Sequence, residues 1–170
     1  MPYICCTQKL AKELDAKLSS PITENVGLGN WYANLLLLDR RKCVLFTHES
    51  TLYSVFVTGL KKPDFQCLDD VFVQALFKQL REESITQGQI EIVLNEYEGK
   101  IEYAKTESKS VLGSMNDLAF HIKYEVQRSG SLANLDILSL TKRLNVTPFK
   151  AIGFEYPDTL FRLRIQQSLH

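Results

Sequence analysis

Apolar residues between positions 31 and 57 fall into three runs of strand length, which short polar segments separate. The runs are 31–38, 43–46 and 52–57. Aromatic and β-branched residues are frequent in the last run, as is typical of strands. The polar breaks at 39–42 and 48–50 are short enough for turns, so the pattern predicts a three-stranded antiparallel meander. Because both faces of the first two strands are apolar, we expect the sheet to be covered on both sides.

Helical spacing marks much of the remaining chain. Apolar residues three or four positions apart predict helices over 9–18, 68–83, 114–130 and 135–144, and a last helix from about 158. The segment 89–99 also alternates like a strand; we favour a helix because Gly99 is a natural helix end. Pro148 and Pro157 exclude a helix from the segment between the last two. The composition of 19–30 predicts a loop.

Two further short runs, at 3–6 and near 100–106, predict additional strands. The fold class is therefore α+β, with a mainly antiparallel sheet of about four or five strands packed with helices. At 170 residues, of which 45% are hydrophobic, the chain has the size of a single globular domain spanning 1–170.

Charge and hydropathy narrow the classes of partner. Lys and Arg together number 20, as do Asp and Glu, so no net charge draws the protein to nucleic acid or to an anionic membrane. The N-terminus lacks a signal-peptide core, and no apolar run reaches the roughly 18 residues of a membrane span. We expect a cytoplasmic protein with no membrane partner. The four cysteines, Cys5, Cys6, Cys43 and Cys67, are not spaced as zinc ligands and are expected to be reduced thiols.

The predicted helix over 114–130 carries one candidate catalytic group. Ser114 is in position to cap its N-terminus with Asp117 three residues on, as in a capping box. Asp117, His121 and Glu125 lie four residues apart, and a carboxylate beside an imidazole suits acid–base chemistry. Capping by Asp117 and a pair between His121 and Glu125 would explain the same residues without any activity. Both interpretations stay open.

A second candidate is an anion site. The predicted hairpin tip presents three cations, Arg40, Arg41 and Lys42. Two lysines precede the predicted helix start, whose free backbone N–H groups also favour anions. The predicted ligand-binding residues are Arg40, Arg41, Lys105, Lys109, Ser114 and Asn116. A solvated hairpin tip is the simpler alternative for the arginines.

Other familiar chemistry is not indicated. The sequence lacks a P-loop, a dinucleotide-binding glycine motif and the glycine-flanked serine of a hydrolase, and the residues around His48 do not form a zinc motif. We therefore expect no cofactor and no metal. Most aromatic residues follow apolar patterns typical of a core, whereas Trp31, beside the predicted glycine-rich loop, is expected to be half covered.

Three separated segments resemble a bacterial family catalogued as a domain of unknown function. They are "DRRKCVLFTHESTLYSV", "AKTESKSVLGSMNDLAF" and "RLNVTPFKAI" followed by "YP". The family pattern has an arginine before "SVLGSMND", where this chain has Lys109. The resemblance implies a single α+β domain in a bacterial cytoplasm, and it transfers no catalytic residue.

The function expected from these observations is a small bacterial binding or regulatory module that recognises a protein or an anionic ligand. Whether the protein is an enzyme stays open: the alternative is a small hydrolase or nuclease that uses His121 with Asp117 or Glu125. Self-association through 145–157 is a further possibility, and an exposed apolar patch at Phe149, Ile152 and Phe154 would be its sign.

Overall fold

The computed structural model describes residues 2–20, 27–99 and 101–168. Half of the predicted loop, residues 21–26, lies outside this part of the chain. Five strands form one sheet in the order β4-β3-β2-β1-β5. The strands are β1 (Tyr3–Cys6), β2 (Trp31–Leu38), β3 (Arg41–His48), β4 (Ser54–Leu60) and β5 (Glu102–Lys105).

Seven α-helices occur in the described residues. They are α1 (Gln8–Ala11), α2 (Lys62–Gln66), α3 (Leu68–Glu82), α4 (Gln87–Tyr97), α5 (Lys109–Ser129), α6 (Ile137–Leu144) and α7 (Pro157–Ser168). None of these helices is long and apolar enough to cross a membrane.

The predicted meander is confirmed, because β2, β3 and β4 pair antiparallel. β1 lies between β2 and β5 and runs parallel to both, which makes the sheet mixed. Both faces of the sheet are covered, as expected. Helices α3, α4 and α7 contribute to the core on one face, and α5 and α6 contribute to the core on the other.

The structure decides between helix and strand for 89–99 and shows how far Trp31 is buried. The favoured helix is confirmed: α4 ends at Tyr97, two residues before Gly99, and buries Ile90, Val93 and Tyr97 in the core on one face of the sheet. Trp31 is fully buried, so the expectation that it is half covered was wrong. Its indole Nε1 donates to the Tyr97 hydroxyl over 2.7 Å, and this bond satisfies the buried ring nitrogen.

Two predicted helix boundaries were wrong. α1 ends at Ala11 rather than continuing to residue 18, because the chain leaves the helix and Ser19 bridges to Ala104 of β5. The long helix α5 begins at Lys109, and its N-cap is Ser108, whose Oγ accepts from the N–H of Val111 over 3.2 Å. The Tyr32 hydroxyl accepts from the N–H of Ser108 over 2.9 Å and so anchors this helix start to β2.

Candidate functional site

Five basic side chains meet where the β2–β3 hairpin approaches the end of β4. Leu38 of β2 pairs with Arg41 of β3, and Lys42 of β3 pairs with Leu60 of β4. The antiparallel register therefore places the hairpin tip beside the residues that follow β4 in the chain. We call the resulting set the cation cluster: Arg40, Arg41, Lys42, Lys61 and Lys62.

The cation cluster lines a concave site of about 590 Å³, together with Gly59 and Leu60. The Nζ atom of Lys42 lies 2.8 Å from a carboxylate oxygen of Glu13, which neutralises this one cation. The other four cations have no ion pair within the described residues. Their side chains are exposed, so their charges face solvent inside a concavity, an arrangement that attracts anions.

Nearby carboxylates are engaged in holding the backbone. Asp39, which precedes the cluster, accepts from the backbone N–H of Leu132 through Oδ2. Asp64 accepts from the backbone N–H of Lys61 over 2.8 Å. Both carboxylates are thus oriented by the fold, and neither forms an ion pair with the cluster.

The hairpin tip is a two-residue turn in an unusual backbone conformation. Asp39 has φ of 48° and Arg40 has φ of 62°, as a type I′ turn requires. Glycine is the residue that fits the second position of this turn without strain, because a Cβ disfavours positive φ. This chain has Arg40, with a long charged side chain, at that position.

Replacement of Arg40 by glycine is therefore expected to stabilise the fold while removing one cation. We expect Arg40→Gly to raise the free energy of unfolding by about 1 kcal/mol, measured by urea denaturation. Arg41→Gly is the matched control, because it removes the same charge from an extended position where glycine weakens a strand. Equal destabilisation by both variants would contradict strain at Arg40.

The other predicted anion-binding residues lie elsewhere. Lys105 pairs with Cys6, and Cys6 pairs with Ala33, five residues before Leu38. This register separates Lys105 from Arg41 by roughly 17 Å along the strands and by three strand spacings across the sheet. Lys109 is exposed at the start of α5. The structure therefore does not bring Lys105 and Lys109 together with the arginines, and their role in binding stays a prediction.

Ser114 and Asn116 belong to the second turn of α5 and do not cap it. Ser114 is buried, Asn116 is exposed, and the backbone N–H groups at this depth bond within the helix. The capping box predicted between Ser114 and Asp117 was therefore wrong. Ser108, six residues earlier, is also a serine that can cap a helix. The hydrogen bond between its N–H and the Tyr32 hydroxyl fixes the start of α5 at Ser108 rather than at Ser114.

His121 and Asp117 are exposed on the outer face of α5. Glu125, the third member of the predicted series, lies 3.8 Å from Arg128 and 3.8 Å from Arg143. Within the described chain, His121 forms no ion pair with either carboxylate. The carboxylate expected to orient the imidazole is thus paired with arginines, and an acid–base role for His121 gains no support from this arrangement.

The two thiols of β1, Cys5 and Cys6, are deeply buried. Burial raises the pKa of both the Cys5 and the Cys6 thiol to about 12. Thiols with so high a pKa stay protonated and are poor nucleophiles. Cys43 is also a buried free thiol, and Cys67 is an exposed one, so the expectation of reduced cysteines agrees with the structure.

The predicted self-association segment is only partly exposed. Phe149 is 8% exposed and belongs to the core between the sheet and α5, whereas Phe154 is 66% exposed. Ile152 packs against the same core as Phe149. The apolar patch expected from all three residues is therefore reduced to Phe154 and its neighbour Tyr156.

Sequence reasoning missed Lys61 and Lys62. The available signal was a pair of lysines shortly after the predicted strand at 52–57. Without the strand order, however, nothing in the sequence relates that pair to the arginines of the hairpin tip some twenty residues earlier.

The fold and the site together define a small α+β domain with a mixed five-stranded sheet and a basic cavity at one end of its meander. The chain belongs to the family described as a domain of unknown function, DUF6933, whose match covers residues 3–160. Comparison with curated proteins and with solved structures found no match.

Proposed function

We propose that this protein is a binding module whose ligand carries a negative charge and is held by the cation cluster. The observation that carries the proposal is the cavity in which four of five cations have no ion pair with any residue that the structure describes. Arginine guanidinium groups hold carboxylates and phosphates through paired hydrogen bonds, and lysines add point charge. The non-glycine turn at Arg40 adds support, because strain of this kind is frequent at functional positions.

Charge reversal at the hairpin tip tests this function. We expect Arg40→Glu combined with Arg41→Glu to weaken binding of inorganic tripolyphosphate and of deca-glutamate at least tenfold, measured by isothermal titration calorimetry. Wild-type binding should also weaken as salt is added, because the cations are exposed to solvent. Lys123→Glu is the control, since it reverses an exposed lysine on α5.

The alternatives give different results in the same experiment. Unchanged binding in the double variant, or an equal loss in Lys123→Glu, would rule out the cation cluster as the site. Loss of binding in Lys105→Glu or Lys109→Glu, with the arginine variant unaffected, would move the site to the start of α5.

A further inference from the structure

β4 is an edge strand. It is the first strand of the sheet, and β3 is its only strand neighbour in the described part of the chain. A groove of about 370 Å³ runs beside it. Its lining includes residues 55–60 of the strand, Asp64 of α2, Gln74, Ala75 and Lys78 of α3, and Leu138 of α6. This volume lies in the range of ligand-binding pockets.

At Ser54, the first residue of β4, a side chain forms the hydrogen bonds that a neighbouring strand would form. The side chain of Asn145 accepts from the N–H of Ser54 over 2.7 Å and donates to the carbonyl of Ser54 over 3.0 Å. A neighbouring strand would form the same pair of bonds. Asn145 therefore shows that the backbone groups of Ser54 point away from β3.

The next outward position on β4 is Phe56, which is 4% exposed. In an antiparallel pair, residues alternate between facing the partner strand and facing away, so the N–H and C=O of Phe56 also point outward. Within the described residues, neither a side chain nor a backbone group outside the sheet bonds to them. Phe56 lines the groove, so this outward side of the strand borders open space.

The groove and the basic cavity are adjacent. Gly59 and Leu60, at the end of β4, line both of them. A chain that follows the edge of β4 towards Leu60 thus arrives at the cation cluster. Unpaired strand groups select an extended backbone, and the cations select acidic side chains at one end of it.

We propose that the edge of β4 and the cation cluster bind one extended acidic peptide segment, which adds to the sheet as a sixth strand. This inference rests on the proposed function, because it assigns the anionic charge of the ligand to the acidic residues of a peptide. Main-chain hydrogen bonds at positions such as Phe56 hold the segment along the groove. The cation cluster then fixes its register.

The probe for this proposal is the capped peptide Glu-Glu-Thr-Val-Thr-Val-Thr-Glu-Glu, which has acidic residues at both ends and so fits either strand direction. We expect calorimetric binding, with amide hydrogen exchange at Phe56 slowed at least tenfold in the complex. Two isomers, N-methylated either at the two valines or at the first two of the three threonines, should differ at least tenfold in affinity, because only one set of amides faces β4.

Variants of the protein separate the groove from the cations. Gln74 is exposed and lines the groove, so Gln74→Trp should fill it and weaken peptide binding at least tenfold, with tripolyphosphate binding unchanged. Gln87→Trp, at an exposed position of α4, is the matched control and should leave both affinities unchanged.

The outcomes distinguish this inference from the proposed function. If the peptide does not bind while tripolyphosphate does, the sixth strand is overturned and the anion site stands. Equal affinity of the two methylated isomers, or no effect of Gln74→Trp, would also overturn it, since charge alone would then explain binding. If tripolyphosphate binds the double variant Arg40→Glu, Arg41→Glu as tightly as wild type, the proposed function itself is overturned.

Discussion

Glu83→Ala is expected to lower the free energy of unfolding by about 4 kcal/mol, because each buried donor that loses its acceptor costs roughly 1–3 kcal/mol. Glu83 directly follows α3 and is 4% exposed. Its Oε2 accepts from the Tyr53 hydroxyl over 2.6 Å, from Gln79 over 2.9 Å and from Asn145 over 3.0 Å. One carboxylate oxygen thus links the connection between β3 and β4, the helix α3 and the end of α6.

Urea denaturation of Glu83→Ala measures this effect, and the neighbouring Glu82→Ala is its control. Glu82 is exposed, so its removal should change the free energy of unfolding by less than about 0.5 kcal/mol. Similar results for the two variants would mean that the bonds to Oε2 contribute little to stability.

Glu83→Gln separates the hydrogen bonds from the charge. Burial raises the pKa of Glu83 above its ordinary value, although the three donors oppose the shift. Stability from this group is therefore fully present below the unfolded pKa and is lost as pH rises through the folded pKa. Because glutamine keeps an acceptor oxygen and does not titrate, Glu83→Gln should gain stability relative to wild type between pH 4 and pH 7.

His48 is expected to give a pH dependence opposite to that of Glu83. It should lower the free energy of unfolding by about 3 kcal/mol as pH falls from 7 to 4. Its ring is fully buried, and burial lowers the pKa of His48 to about 4. Nε2 donates to the Leu28 carbonyl, and Nδ1 accepts from the Thr51 hydroxyl over 2.9 Å. The neutral imidazole therefore satisfies both neighbours, whereas a proton on Nδ1 would displace the Thr51 donor.

The sign follows from proton uptake. Between its ordinary pKa of 6.5 and the folded value of about 4, His48 takes up a proton in the unfolded chain and not in the folded protein. Stability is thus fully present above pH 6.5 and is lost as pH falls through the folded pKa.

Denaturation of His48→Gln from pH 4 to pH 7 tests this assignment. In this variant the free energy of unfolding should fall much less than in wild type as pH drops from 7 to 4. The exposed His121→Gln should keep the wild-type pH dependence. A wild-type slope in His48→Gln would show that other groups cause the acid dependence.

Anion binding and stability are opposed at the hairpin tip. Arg40 occupies a turn position that favours glycine, so the change that relaxes the backbone also removes a cation from the cavity. Natural proteins retain such strain where function depends on the residue. The paired measurements on Arg40→Gly and Arg41→Gly therefore connect the stability of the turn to the proposed binding site.

Local pattern was a good guide for most elements, although the helical spacing over 9–18 predicted a longer helix than α1. The meander over 31–57, the helix α3 and the covered faces of the sheet follow from apolar runs and helical spacing. Helix starts were less predictable, because Ser108 and Ser114 have the same capping chemistry. The choice between them depends on Tyr32, which is distant in the sequence.

The candidate site shows the same division. The two arginines of the hairpin tip were predicted from sequence, since a basic turn between two strands is a local feature. Lys61 and Lys62 were not, because their position beside the arginines depends on the register of β3 with β4. Lys105 appeared equally suitable in the sequence, and the parallel pairing of β1 with β5 places it at a different part of the sheet.

The sequence by itself determined the α+β class, the antiparallel meander and the family, because each depends on residue types in consecutive order. The tertiary structure decided which charges share a cavity, which strand edge is open and which polar groups are buried. These properties depend on strand order and on pairing between distant segments. Hydrophobic periodicity places a residue on a face of its own element and does not specify which other element that face meets.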